Sequence, residues 1–156
     1  MEQKTKVNAE DGKQDLWIIR EFDLPVELLF KAYEEPELLE QWMGTKVLKL
    51  ESKKHGSYEM ETRDPKGNIA FRAHGVIHEF IPGKKITRTF EMDNAAFGVQ
   101  LEVYEFEKLT DGASKLRMHL VYESVAQRDR LLKLPFAWGI NMAHNRLEDI
   151  ASKLVR

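Results

Sequence analysis

Between Leu16 and Phe22 the chain runs Leu16-Trp17-Ile18-Ile19-Arg20-Glu21-Phe22, β-branched and aromatic enough for a first strand, which Asp23-Leu24-Pro25 ends. The apolar period then changes. Val26, Leu29, Phe30 and Tyr33 recur at helical spacing behind Pro25, and Pro36 opens a second short helix whose buried side is Leu38, Leu39, Trp42 and Met43. From Val47 to Glu123 the pattern returns to alternation. Tyr58, Met60 and Thr62 alternate with Glu59, Glu61 and Arg63, and Leu116, Met118, Leu120 and Tyr122 share one face of the last strand. Asp64-Pro65-Lys66-Gly67-Asn68, Pro82-Gly83, Asp93-Asn94 and Asp111-Gly112 supply turns at spacings suited to consecutive hairpins, so an antiparallel meander of about six strands is expected.

Ser124-Val125-Ala126-Gln127 has the form of a capping box, so a helix should start there, with Pro135 interrupting it before a longer C-terminal helix. Phe136, Ile140, Ala143, Leu147, Ile150 and Leu154 step by three and four along that helix, and Asn141, Asn145, Glu148 and Ser152 take the other side. The expected class is α+β: two short helices after strand one, and a curved sheet of six or seven strands wrapped on the long helix. Residues 1–14 are polar and are expected to be a flexible start to a single domain spanning 15–156.

Composition narrows the function. A net charge of -2 gives no field to gather polyanions, so nucleic acid is not an expected partner. No run approaches the roughly 20 apolar residues of a membrane span, and the start of the sequence has no secretory apolar stretch. With no cysteine there is no thiolate chemistry, which fits the reducing cytoplasm, the expected location. His74 and His78 stand about 13 Å apart on a strand, too far to share one ion, so no metal site and no cofactor are expected. His55, His119 and His144 are read as hydrogen-bonded or solvated. No arrangement of nucleophile and base is apparent, and no catalytic residue is assigned.

Three segments carry a resemblance. Phe22-Asp23-Leu24-Pro25-Val26-Glu27-Leu28-Leu29-Phe30-Lys31-Ala32-Tyr33, Pro36-Glu37-Leu38-Leu39-Glu40-Gln41-Trp42 and Gly75-Val76-Ile77-His78-Glu79-Phe80-Ile81-Pro82-Gly83-Lys84-Lys85-Ile86 are similar to words of the START/Bet v 1-like (SRPBCC) superfamily. Within it the chain resembles the branch named after the activator of Hsp90 ATPase homologue. The resemblance implies a helix-grip fold with a cavity between sheet and long helix, used by many members for apolar molecules.

Trp42, Tyr58, Met60, Phe71, Phe90, Leu101, Met118, Tyr122, Phe136, Ile140 and Ala143 are expected to face that space, either filling it at native packing density or lining a pocket. Arg88 shares a strand face with Ile86, Phe90 and Met92. It points inward, paired with Glu105 and able to meet a ligand carboxylate, or sits at the solvent rim. The first expectation is a binder of a small hydrophobic or amphipathic molecule. The alternatives are a chaperone-linked interaction protein and a cavity enzyme of the polyketide cyclase or hydrolase kind. A homodimer is left open.

Overall fold

The computed structural model describes residues 3–93 and 97–154. Strands β1 (Lys6–Asn8) and β2 (Asp15–Phe22) precede helices α1 (Val26–Glu34) and α2 (Pro36–Met43). Then come β3 (Lys46–Leu50), β4 (Ser57–Arg63), β5 (Ile69–Ile81), β6 (Lys85–Met92), β7 (Val99–Thr110) and β8 (Ala113–Val121), followed by α3 (Val125–Leu132) and α4 (Phe136–Ser152). All pairings are antiparallel, in the order β1-β2-β8-β7-β6-β5-β4-β3, so β2 joins the far end of the six-strand meander. This is the α+β helix-grip architecture, with eight strands among the described residues in place of the expected six or seven.

Local signals act as their chemistry dictates. Pro36 stands in the first turn of α2, Gly44 ends that helix in the left-handed region, and the Ser124 hydroxyl accepts from the Gln127 amide at 3.1 Å to open α3. Trp42 is 3% exposed; its indole nitrogen donates to the Ala32 carbonyl and its ring meets those of Tyr33 and His144, joining α1, α2 and α4. β5 carries a bulge between Ile77 and Glu79, which keeps Ile77 and Phe80 on the inner side and bends the sheet. At Gly75 a Cβ would collide with the Thr89 carbonyl and the Tyr58 hydroxyl, so only glycine fits. Asn94, second residue of the expected Asp93-Asn94 turn, lies outside the described residues.

Four expectations are corrected. Residues 6–8 of the supposedly flexible start pair with β2, and Thr5 is buried: its amide donates to Asn141 Oδ1 at 3.0 Å. A three-residue strand is too short to leave a periodic signal. On α4, Leu147 is buried, but Asn141, His144 and Ala151 are its fully buried companions, and Leu154 lies exposed past the helix end. The cause sits on β2, where Arg20 points inward and draws Asn145 and Glu148 toward it. Glu61, expected in water, is buried beneath Arg63 and Arg72 on the outer face. Finally, Val99, Leu101, Val103 and Glu105 do not face inward; Gln100, Glu102, Tyr104 and Phe106 do. One residue of phase exchanges the two faces of a strand, and here the more polar set is inside because its charge is paired there.

Candidate functional site

Where β6, β7 and β8 face the start of α4, the inner side chains leave a cavity of about 260 Å³. The sheet supplies Ile18, Phe90, Met92, Met118 and Leu120, and Met43, Leu131, Phe136 and Ile140 close it from the helices. The wall is apolar because strand alternation points these residues inward while α3 and α4 present leucine, phenylalanine and isoleucine to them. Phe97 and Gly98 border it from the segment ahead of β7.

One end is polar. Arg88 lies directly across the ladder from Glu102, and its Nε donates to Glu102 Oε1 at 2.7 Å. Its Nη2 donates to the Tyr104 hydroxyl at 2.8 Å, and that hydroxyl donates in turn to the same Oε1 at 2.7 Å. Gln100 Nε2 donates to Glu102 Oε2 at 2.6 Å. The guanidinium also lies over the rings of Tyr58 and Tyr104, 4.6 and 4.9 Å from their centroids. The two charged side chains are 12% and 5% exposed. Burial pushes the Tyr104 and Tyr58 hydroxyls above the ordinary tyrosine value, so both remain protonated. Burial opposes the charge on Arg88, but the Glu102 carboxylate bonded to its Nε offsets that cost and the guanidinium stays ionised.

Of the residues read from sequence, Arg88, Phe90, Met118, Phe136 and Ile140 border this cavity. Trp42 and Met60 are buried in the core away from it, and Tyr58 stands behind Arg88 with its hydroxyl donating to the Thr89 carbonyl. Phe71 is half-buried on β5, Ala143 is half-buried on α4, and Tyr122 is buried just past the end of β8; none borders the cavity. Leu101 is 41% exposed on the opposite face, the consequence of the phase of β7. The partner of Arg88 is therefore Glu102, next to Leu101 in sequence and on the opposite face of β7, and not Glu105. Sequence reading missed Glu102, Gln100 and Tyr104. The signal that could have found them is the pairing of an inward Arg88 with the nearest carboxylate of matching phase.

The histidines lie elsewhere. His74 contacts Glu91 and Asp93 on the outer face, and His119 stacks on Trp17 and meets Asp15 at 2.7 Å. His78 is exposed at the β5 bulge, and the His55 amide donates to the Ile77 carbonyl. His144 is fully buried, with Nδ1 2.9 Å from the Thr5 hydroxyl. Among the described residues no group of three or more His, Cys, Asp or Glu side chains is placed to hold a metal ion. No described helix is long and apolar enough to cross a membrane. A larger hollow, about 380 Å³, opens beside Lys4, Lys6, Lys115 and Glu148, and its charged walls suit solvent rather than an apolar guest.

The family model described as activator of Hsp90 ATPase homolog 1-like protein matches residues 23–152. No curated protein matches the sequence significantly. Among solved structures, a protein of Mycobacterium smegmatis is 20% identical with a TM-score of 0.82, over 94% of this chain and 95% of its own. A Rhodobacter sphaeroides protein is 21% identical with a TM-score of 0.82, over 96% and 99%. An Arthrobacter aurescens protein is 17% identical with a TM-score of 0.83, over 95% and 91%. At these identities the likeness is one of fold.

Proposed function

The chain belongs to the activator of Hsp90 ATPase homolog 1-like protein family, and from that premise we propose that it binds a small hydrophobic or amphipathic molecule in the cavity beneath α4. The observation that carries this reading is the combination of one apolar cavity wall with one hydrogen-bonded polar end. The fold family commonly binds hydrophobic ligands, which agrees with the chemistry of the wall. At about 30 Å³ per water-sized group, the volume suits a guest of the order of ten non-hydrogen atoms. The ionisable side chains at the wall, Arg88, Glu102 and Tyr104, are engaged with one another, which supports holding a guest over transforming one.

An environment-sensitive hydrophobic dye tests this. The wild-type protein should bind it, and Ile140→Trp, which fills the cavity from α4, should weaken binding about tenfold while costing about 1 to 3 kcal/mol of stability. Ala143→Phe, on the same helix but off the cavity, should leave binding within about twofold. Equal effects of the two substitutions would remove the cavity from the account.

A further inference from the structure

Resting on that reading, we infer that the polar end of the cavity selects a guest whose polar group is uncharged, a hydroxyl, carbonyl or amide, and turns away both carboxylates and amines. The wall includes one cation and one anion, Arg88 and Glu102, joined at 2.7 Å, so the site carries no net charge. The expectation that Arg88 meets a ligand carboxylate fails on this geometry. A guest carboxylate would bring a second anion to a guanidinium that already serves Glu102 and Tyr104, and one negative charge would stay unbalanced away from water.

An ammonium fares no better. Glu102 already accepts from Arg88, Tyr104 and Gln100 and its charge is matched by Arg88, so an ammonium would add a positive charge that nothing at the site balances away from water. A neutral group escapes both costs. It takes hydrogen bonds from side chains already oriented by their neighbours, while its carbon body lies against Met92, Met118 and Ile140.

The ion pair therefore acts as a filter with two halves, and each can be removed alone. Glu102→Gln leaves the Arg88 charge unbalanced and should turn the preference toward anions; Arg88→Met leaves Glu102 and should turn it toward cations. The side chain of Gln100 and the Tyr104 hydroxyl remain in both variants, so the polarity of the end is kept while its charge changes.

The test is displacement of the bound dye by octanol, octanamide, octanoate and octylammonium at about pH 8, where the last two are ionised. On the wild-type protein, octanol and octanamide should displace at concentrations about tenfold below those needed for either ion. Relative to octanol, octanoate should gain about tenfold on Glu102→Gln, and octylammonium about tenfold on Arg88→Met. Wild-type protein that takes octanoate or octylammonium as well as octanol overturns the inference and leaves the binding reading standing. Folded variants that keep the wild-type order overturn it too, because a plain apolar hollow would also disfavour ions. Should a variant fail to fold by circular dichroism, octanamide decides on the wild-type protein: a plain apolar hollow rejects it as it rejects the ions, and a hydrogen-bonding end accepts it. Failure of all four compounds to displace the dye overturns this inference together with the binding reading.

Discussion

Arg20 and Arg88 both point inward from one sheet, and what surrounds each guanidinium sets two regions of the molecule apart. Arg20 has no exposed side-chain surface; its Nη1 donates to Asn145 Oδ1 at 2.7 Å and to the Thr5 hydroxyl at 3.2 Å, and its Nη2 to Glu148 Oε2 at 3.3 Å. Those partners come from the chain's start and from α4, so the charge ties distant elements together. Among the described residues the hydrogen-bond partners of the Arg88 guanidinium, Glu102 and Tyr104, both come from β7, two residues apart on one strand, and the space beyond is the apolar cavity. A buried arginine is therefore not in itself a ligand site. The first is closed by tertiary contacts, and the second is satisfied locally with room left in front of it.

The largest expected effect lies in the Arg20 region. Glu148 accepts from both Arg20 and the Asp23 amide, so Glu148→Ala strands a buried cation and should cost about 3 to 5 kcal/mol in chemical denaturation. A loss below about 1 kcal/mol would erase the distinction between the regions. The next effect is a pH dependence. His144, in the same network, is held down to about 3, first by burial and then by the Arg20 charge. It stays neutral in the folded protein while the unfolded chain takes up a proton below about 6.5. Its contribution is thus complete above about pH 6.5 and is lost as pH falls toward 3, by about 1.4 kcal/mol per pH unit. His144→Gln should flatten that part of the stability profile, and parallel profiles would contradict the assignment. The smallest effect belongs to the cavity side of the sheet. Tyr122 is buried just past β8 and its hydroxyl has no hydrogen-bond partner among the described residues, so Tyr122→Phe should change stability by less than about 0.5 kcal/mol.

The same comparison explains what was legible in the sequence. Elements announced by local chemistry were readable: Pro36 and the Ser124 cap open their helices, and Leu116, Met118 and Leu120 face inward as their alternation requires. The two misread faces, those of β7 and α4, both lie opposite an inward arginine. On β7 the apolar set Val99, Leu101 and Val103 faces out because Glu102 must reach Arg88; on α4 Asn145 and Glu148 turn in because they must reach Arg20. Hydrophobic period alone assigns polar residues to water, and only the partner across the fold reverses that assignment. The cavity was partly legible for the same reason: Phe90, Met118 and Ile140 follow their own period, whereas Gln100, Glu102 and Tyr104 follow Arg88.

The most direct test of the cavity uses the methionines, since Met43, Met92 and Met118 border it while Met60 is buried in the core outside it. In a spectrum of carbon-13 methyl-labelled methionines, addition of octanol should shift the Met92 and Met118 methyl signals in a saturable way and leave Met60 in place. Signals that stay fixed at saturating octanol, or a Met60 methyl that moves as far as the other two, would contradict a guest-binding cavity beneath α4.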